Sequence, residues 1–169
     1  MPIYAGSHRR GAANEVGALG EVIFEEFLRS HRIPFEPRHE TTEDLVLFDA
    51  TVEIKTKDRT VNPLPHYECS VPLYNYEHQR PDLYVFVSLV RDLARSPLSI
   101  TRFSHAHLVG WATLAQVDQA VVRKRGETDA SNGTTFWTSC RNLRIDQLRK
   151  FPELLEACAK ATRNAGGRG

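Results

Sequence analysis

The sequence is poor in the features that mark several common classes of protein. Its three cysteines, Cys69, Cys140 and Cys158, are odd in number and show no CxxC spacing, so reduced thiols are expected rather than disulfides or a zinc site. No apolar run approaches the roughly 20 residues of a membrane helix, and residues 1–11 lack the apolar core of a signal peptide. The sequence therefore predicts a cytoplasmic protein with no membrane partner.

Motifs that signal nucleotide cofactors and several catalytic classes are also missing. The glycines form neither GxGxxG nor a Walker loop, so no nucleotide cofactor is predicted. There is no Gly-x-Ser-x-Gly elbow for a hydrolase triad and no HExxH for a zinc protease. His105 and His107 alternate on one predicted strand, but they offer only two ligands, and histidines at strand ends are usually solvated.

What is present is sufficient for one domain with a hydrophobic core. The 169 residues are 41% hydrophobic with a formal net charge of +1, and a single domain over residues 1–169 is predicted. Residues 40–58 contain six acids and two lysines, whereas residues 123–125 and 141–150 are basic. This distribution suits a metal site flanked by phosphate-binding surface, and it equally suits an ordinary solvated exterior.

The most informative stretch is interpreted as a β-hairpin. Its β-branched and large apolar residues favour two strands, and the Asp-led pair between them favours a reversal. The predicted parts are a strand over 44–48, a turn at Asp49-Ala50 and a strand over 51–57. Since alternate side chains share one face of a strand, Glu53 and Lys55 stand side by side. Asp44 lies at the open end of the partner strand.

Two carboxylates and a lysine at the end of a hairpin are suited to cutting phosphodiester bonds. Asp44 and Glu53 carry the hard oxygen ligands that Mg²⁺ accepts, with positions left for water and phosphate. The metal would lower the pKa of a bound water and neutralise transition-state charge, while Lys55 could orient that water or hold the phosphate. A Glu-x-Lys pair on an exposed strand is also a common solvated pairing, so the pattern alone leaves both interpretations open.

An amphipathic helix precedes the hairpin. Asn14 suits the N-cap position and apolar residues recur every three or four positions, which predicts a helix over residues 14–30. Glu21 lies at the border of its apolar face, next to Gly20, where the missing side chain would let another backbone come close. Glu26 is a second candidate for an inward-facing acid. Acids on such a helix usually form its solvated face.

The remaining chain alternates predicted strands with short helices. Residues 83–90 form the strongest strand, apolar almost throughout and therefore expected at the centre of the sheet. Gly110 is expected at a bulge or a close contact. The other predicted elements are an edge strand over 33–38, strands over 99–103, 107–111 and 135–140, a helix over 114–124 capped by Thr113, and a last helix over 152–162.

Residues 69–79 fit neither a strand nor a helix period cleanly. Because Pro72 argues against a helix interior, the segment is predicted as a short helix or as a substrate-facing loop. If exposed, Tyr74 and Tyr76 could stack on bases and Gln79 could orient a water. Partly buried core tyrosines are an equally good interpretation.

The order of these features resembles the PD-(D/E)xK nuclease superfamily. In chain order they are Gly20-Glu21 on the first helix, Asp44 at the start of the hairpin, Glu53-Ile54-Lys55 on its second strand, and then the apolar strand. The resemblance covers about residues 14–90 and is greatest to small phage-type and Holliday-junction-resolvase-like members. It implies an α/β, restriction-endonuclease-like αβββαβ core with a mixed central sheet, followed by C-terminal accessory strands and helices over about 91–164. The proline of the family motif is Glu43 here.

The resemblance also implies functional residues and a metal cofactor. The implied catalytic residues are Lys55, Glu53, Asp44 and Glu21. The implied ligands for Mg²⁺, with Mn²⁺ expected to substitute, are the carboxylates of Glu21, Asp44 and Glu53 and the backbone carbonyl of Ile54. The substrate-binding residues expected around them are Lys57, Gln79 and Arg59. Gln79 falls roughly where some members have a glutamine after the third strand.

The sequence thus predicts a metal-dependent nuclease that hydrolyses DNA phosphodiester bonds with an activated water. A homodimer is a further expectation, because small nucleases of this fold often need two active sites to cut two strands. Two alternatives stay open. One is a nuclease acting on RNA, and the other is a non-catalytic nucleic-acid-binding or assembly module on the same fold.

Overall fold

The computed structural model describes residues 10–38, 42–130 and 132–167, with side chains from residue 15 onward. The α-helices in these ranges are α1 (Arg10–Ser30), α2 (Leu73–Tyr76), α3 (Leu114–Asp118) and α4 (Phe151–Gly166). The strands are β1 (Glu36–Pro37), β2 (Leu45–Leu47), β3 (Ala50–Arg59), β4 (Glu68–Pro72), β5 (Leu83–Arg91), β6 (Phe103–Thr113), β7 (Val121–Arg123) and β8 (Cys140–Arg144). Short 3₁₀ turns cover Ile100–Arg102 and Ile145–Gln147.

The larger sheet is mixed, as the sequence predicts. Its five strands lie in the order β1-β2-β3-β5-β6, and only β3 and β5 run parallel. A parallel pair needs a crossover connection, which here contains β4 and α2. The predicted central strand is confirmed, because β5 pairs on both sides and residues 84–90 are all buried.

A smaller antiparallel sheet, in the order β4-β8-β7, covers one face of the larger one. Tyr84 and Phe86 of β5 point into the core cluster on this side, together with Cys69 and Val71 of β4. The alternate side chains of β5 point into the other core cluster, against α1 and α4. The protein therefore has a helical layer, a five-stranded layer and a three-stranded layer, with apolar packing on both sides of the central sheet.

The two long helices each bury one apolar stripe. Phe24 and Leu28 of α1 are fully buried, and Phe151 and Leu154 of α4 lie in the same core cluster. The aromatic rings of Phe27 and Phe151 meet with their centroids 5.4 Å apart, which fixes the contact between the two helices. None of the helices within the described ranges is long and apolar enough to cross a membrane.

The predicted hairpin forms, but its turn lies one residue earlier than expected. Leu47 pairs with Ala50, so the turn residues are Phe48 and Asp49, with φ values of 47° and 68°. A two-residue hairpin turn of this kind requires positive φ at both positions. Asp tolerates that conformation, whereas Phe rarely adopts it. The pairing of the flanking strands therefore outweighs the local preference at Phe48.

Several predictions for the C-terminal half are wrong. The strand expected over 99–103 is mostly a 3₁₀ turn at Ile100–Arg102, and the strand expected over 107–111 is part of the longer β6. The helix expected over 114–124 ends at Asp118. The β-branched Val121 and Val122 favour strand, and they pair with β8. The strand expected over 135–140 instead begins at Cys140.

Other local predictions are confirmed. Thr113 caps α3 in a capping box with Gln116, as expected of a threonine at that position. Gly110 makes the expected close contact, since a Cβ there would lie 2.6 Å from the Leu148 Cβ and 2.8 Å from the Arg149 carbonyl. Trp111 and Arg149 exchange backbone hydrogen bonds beside it, which ties β6 to the segment before α4.

Candidate active site

Asp44 occupies the position where the ladder between β2 and β3 ends. The last strand pair is Leu45 opposite Val52, and the Asp44 N–H donates to the Val52 carbonyl at 2.9 Å. Beyond that pair, the Ile54 N–H donates to Oδ2 of Asp44 at 2.6 Å. The buried side chain of Asp44 thus takes the place that the backbone of a longer β2 would occupy.

Glu53 lies close to Asp44 at the end of this ladder. It directly precedes Ile54, whose N–H donates to the Asp44 carboxylate. Glu53 is 4% exposed, and its charge raises the pKa of Asp44, so the two carboxylates are within electrostatic reach. The structure therefore brings together the two acids that the sequence pattern singles out.

Lys55 connects Glu53 to the segment after α2. Its Nζ donates to Oε1 of Glu53 at 2.6 Å and to Oε1 of Gln79 at 2.8 Å. Gln79 is only 2% exposed, and its backbone is fixed by the Tyr84 hydroxyl, which donates to the Gln79 carbonyl at 3.0 Å. Tyr84 lies beside Glu53 in the parallel register of β5 and β3. Sequence reasoning missed its role, since that register cannot be read from the sequence.

Glu21 reaches the site from α1, where it is partly buried. Its charge raises the pKa values of both Asp44 and Glu53, which places it within electrostatic reach of them. The preceding Gly20 allows α1 to approach β3 closely, because a Cβ there would lie 1.8 Å from Oγ1 of Thr56. The contact expected at Gly20 thus exists, but it is with a side chain rather than with a backbone.

Glu26 and the two histidines that the sequence offers as candidates lie away from this site. Glu26 is not inward-facing, since its side chain is 71% exposed and lies 3.7 Å from Arg29. One helical turn and a half separates it from Glu21, so it points away from that side of α1. His105 and His107 lie on β6, opposite Val90 and Ser88, and β5 separates them from β3.

The site holds more buried negative charge than its positive charge can balance. Burial, with the charges of Glu53 and Glu21, raises the pKa of Asp44 to about 8. Burial also raises the pKa of Glu53; the ammonium of Lys55 opposes this shift, and the charges of Glu21 and Glu43 add to it. One lysine therefore does not balance the acids, and added positive charge would stabilise their ionised forms.

The oxygen atoms available here fit a divalent cation chemically. Oε2 of Glu53 is buried and has no hydrogen-bond partner among the residues that the structure describes. The carbonyl of Ile54 points to the same strand edge as its N–H, since both groups of one residue face the same neighbouring strand. Carboxylate and carbonyl oxygens are the ligands that Mg²⁺ accepts. Within the described ranges, no three His, Cys, Asp or Glu side chains are grouped closely enough to hold an ion as they stand.

The two other predicted substrate-binding cations continue the row of Glu53 and Lys55 along β3. Lys57 donates to the Glu68 carbonyl at 3.3 Å, and burial together with the charge of Arg59 lowers its pKa. Arg59 is buried, with its guanidinium donating to Ser88 Oγ at 2.9 Å and to the Glu68 carbonyl at 3.1 Å. Both cations thus lie between the two sheets, bonded to the chain itself.

A second buried glutamate lies at the start of β4 and was not anticipated from the sequence. Glu68 is 6% exposed; its carboxylate accepts from Arg123 at 2.6 Å and from the Asn142 amide at 2.6 Å. Burial alone would raise the pKa of Glu68, but the hydrogen bonds from Arg123 and Asn142 outweigh it and lower the pKa. The three residues come from distant segments, so no local motif could have revealed this cluster.

Comparisons with known proteins add no relative, since the sequence matches no protein-family model and no curated protein. The fold and the site define a mixed α/β protein that gathers buried acids and a lysine at one end of a strand ladder.

Proposed function

We propose that this protein is a metal-dependent nuclease with a restriction-endonuclease-like core, which hydrolyses phosphodiester bonds in DNA. The observation that carries the proposal is the meeting of Asp44, Glu53 and Lys55 where the β2–β3 ladder ends. The order of elements also supports it. With β4 assigned to the second sheet, the chain runs α1, β1, β2, β3, α2, β5, which follows the αβββαβ pattern.

The residues that would hold the cation are Asp44, Glu53 and Glu21, with the backbone carbonyl of Ile54. A bound Mg²⁺ would supply positive charge to the phosphate and would acidify a water molecule. The raised pKa of Asp44, about 8, means that this carboxyl keeps its proton at neutral pH unless positive charge is added. Binding of the cation should therefore release protons and should strengthen as the pH rises towards 8.

Lys55 is suited to a positioning role. Its ammonium is held by Glu53 and Gln79, and three donors on one nitrogen leave it able to reach a phosphate oxygen or an attacking water. With Oε1 of Glu53 engaged by Lys55, Oε2 is the oxygen left for a ligand. Gln79 also accepts from the lysine, and the Tyr84 hydroxyl donates to the Gln79 carbonyl.

A second candidate function is binding of nucleic acid without cleavage. It is favoured by one observation, that no three ligand side chains within the described residues are gathered around one point. In that case the buried acids would bind no metal. Calorimetric titration with Mn²⁺ separates the two functions, because the nuclease should bind the ion and Glu53→Ala should abolish that binding.

The direct test is cleavage of matched substrates by purified protein. Supercoiled plasmid, linear duplex DNA and an RNA duplex of the same sequence are incubated with Mg²⁺, with Mn²⁺ or with EDTA. Nicking or degradation of DNA that requires the metal and is lost in Asp44→Asn is the expected result. Cleavage of RNA alone would reassign the substrate. Full activity in Asp44→Asn, or no activity with any cation, would contradict the proposal.

A further inference from the structure

Two aromatic side chains lie together on the surface at the edge of the smaller sheet. Tyr74 is 38% exposed and Trp137 is 42% exposed, and their ring centroids are 6.1 Å apart with the planes tilted by 47°. The other tryptophan, Trp111, is buried at 7% exposure. Large aromatic rings usually contribute to the core, so an exposed pair of them suggests a surface that binds something flat and apolar.

The two rings are presented by a fixed backbone. The Leu73 N–H donates to the Ser139 carbonyl at 2.9 Å, which joins the start of α2 to the segment that carries Trp137. Two residues after Tyr74, the ring of Tyr76 contacts the guanidinium groups of Arg80 and Arg141, at 4.8 and 4.9 Å from its centroid. These contacts and the bond to Ser139 hold α2 in place.

Positive charge lies next to this pair. The Arg125 N–H donates to Ser139 Oγ at 3.1 Å, and the Gly126 N–H donates to the Phe136 carbonyl at 2.8 Å. These bonds place the exposed Lys124 and Arg125 beside the segment that carries Trp137. Glu127 and the buried Asp129 are acids of the same loop, so the exposed charges there are two cations and one acid. Aromatic rings flanked by cations are the surface on which proteins bind single-stranded nucleic acid.

The pair is also connected to the candidate active site. Tyr74 precedes Gln79 by five residues on the same short segment, and the Gln79 N–H donates to the Asn75 carbonyl at 2.7 Å. Gln79 in turn accepts from Lys55 at 2.8 Å. One ring of the pair and the residue that positions the lysine therefore belong to the same short segment.

We infer that Tyr74 and Trp137 form a stacking site for an unpaired nucleobase of single-stranded DNA, with Lys124 and Arg125 holding the adjoining phosphates. This inference rests on the proposed nuclease function and specifies its substrate, since DNA with a single-stranded part would be preferred over a continuous duplex. The ligand that fits this surface combines the flat π-face of a base with an adjoining anionic backbone.

The test measures binding without cleavage. The full-length protein in EDTA is titrated with a fluorescent 15-nucleotide oligothymidylate, with an abasic oligonucleotide of the same length, and with a 15-base-pair duplex. Trp137→Ala and Tyr74→Ala should each weaken binding of the oligothymidylate about fivefold or more. Neither substitution should change binding of the abasic oligonucleotide, which lacks the stacking bases. Trp137→Phe should restore much of the affinity, because it keeps a ring.

The controls separate stacking from charge and from folding. Leu98→Ala removes another exposed apolar side chain, 91% exposed in the loop before β6, and should leave all three affinities unchanged. Lys124→Ala should weaken all the ligands alike, because phosphate contacts do not depend on the bases. Near-ultraviolet circular dichroism confirms that each variant is folded.

The outcomes distinguish this inference from the function on which it rests. If the duplex is cleaved with metal while Trp137→Ala binds the oligothymidylate as well as the unaltered protein does, the stacking site is refuted and the nuclease stands. Equal binding of oligothymidylate and abasic oligonucleotide by the unaltered protein would also refute it. If no nucleic acid is bound or cut under any condition, both proposals fail.

Discussion

Two buried glutamates on adjacent segments of this protein have opposite electrostatic environments. Glu68 accepts hydrogen bonds from Arg123 and Asn142, and its pKa is lowered. Glu53 accepts from Lys55 on one oxygen, its other oxygen has no partner among the described residues, and its pKa is raised. Both are less than 7% exposed, so burial alone does not separate them.

The difference separates a stabilising cluster from a candidate site. A buried charge whose partners are complete contributes to stability, whereas a buried charge that lacks compensation costs free energy unless a ligand supplies the missing charge. Strongly perturbed carboxyl groups in this second condition are typical of functional sites. The comparison therefore predicts that variants of Glu68 lose stability, and that variants around Glu53 lose activity.

The largest expected effect is on cleavage. Lys55→Ala removes the donor expected to face the phosphate or the attacking water, and should lower the cleavage rate by about 100-fold or more. The measurement is the initial rate of plasmid nicking with Mg²⁺. Lys160→Ala, on the exposed face of α4, is the matched control and should keep full activity. A Lys55→Ala protein that is folded and retains most of its activity would remove the basis for assigning this lysine a role.

The second effect is on stability, and here the variant of Glu68 should lose more than the variant of Glu53. Glu68→Ala should lower the free energy of unfolding by about 3 kcal/mol, because the Asn142 amide loses its buried acceptor and Arg123 loses its carboxylate. Glu53→Gln should leave it equal or higher, because a neutral amide replaces a charge that burial disfavours. Urea unfolding at pH 7 measures both. An equal loss in the two variants would mean that the sites do not differ as described.

The third effect is the dependence of stability on pH. Because the pKa of Asp44 is raised to about 8, the folded protein keeps a proton that the unfolded chain releases above about pH 4. This contribution to stability is complete below that pH and is lost as the pH rises through about 8. The lowered pKa of Glu68 acts in the opposite direction, with stability present above the ordinary glutamate pKa and lost on acidification.

Asp44→Asn isolates this contribution, since an asparagine oxygen can still accept from the Ile54 N–H. Between pH 5 and pH 8.5 the free energy of unfolding should fall more steeply in the unaltered protein than in the variant, by on the order of 2 kcal/mol. Parallel curves for the two proteins would show that Asp44 is ionised throughout. Saturating Mn²⁺ should reduce the difference, because the cation compensates the ionised carboxyl.

The smallest effect extends the comparison to the helix that carries Glu21. Gly20→Ala would place a Cβ 1.8 Å from Oγ1 of Thr56. The Thr56 side chain would have to move within a packed contact, so the free energy of unfolding should fall by about 1 kcal/mol. Gly17→Ala is the matched control. It meets nothing within 4 Å and should be neutral or stabilising, because alanine favours helix over glycine. Thermal unfolding compares the two, and equal melting temperatures would show that α1 is not closely seated on β3.

The sequence predicts the elements whose pattern is local and repeated. The stripe of α1, the hairpin and the apolar run of β5 are each recognisable from spacing alone, and they form. The short turn sets the register of the hairpin, which brings Asp44 and Glu53 to the same end of the ladder. The helix α1 is predicted correctly as an element, but it begins at Arg10 and not at the expected Asn14.

The parts that could not be predicted depend on contacts between distant segments. Val121 and Val122 leave the helical pattern because β8 offers them a partner strand. Tyr84 lies beside Glu53 only because β3 and β5 run parallel in one register. The pairing of Tyr74 with Trp137 depends on the bond between Leu73 and Ser139, which joins segments more than 60 residues apart. No periodicity in a single segment carries such information.

The bond from the Ile54 N–H to Asp44 also affects how this protein can meet other chains. Where β2 stops, β3 would otherwise present an open edge on which a foreign strand could add, a common route to unwanted association. The carboxylate at this edge already accepts the N–H that an incoming strand would seek. A peptide that tried to extend the sheet here would have to displace a buried acid, so inhibitors that act by strand addition should fail at this position.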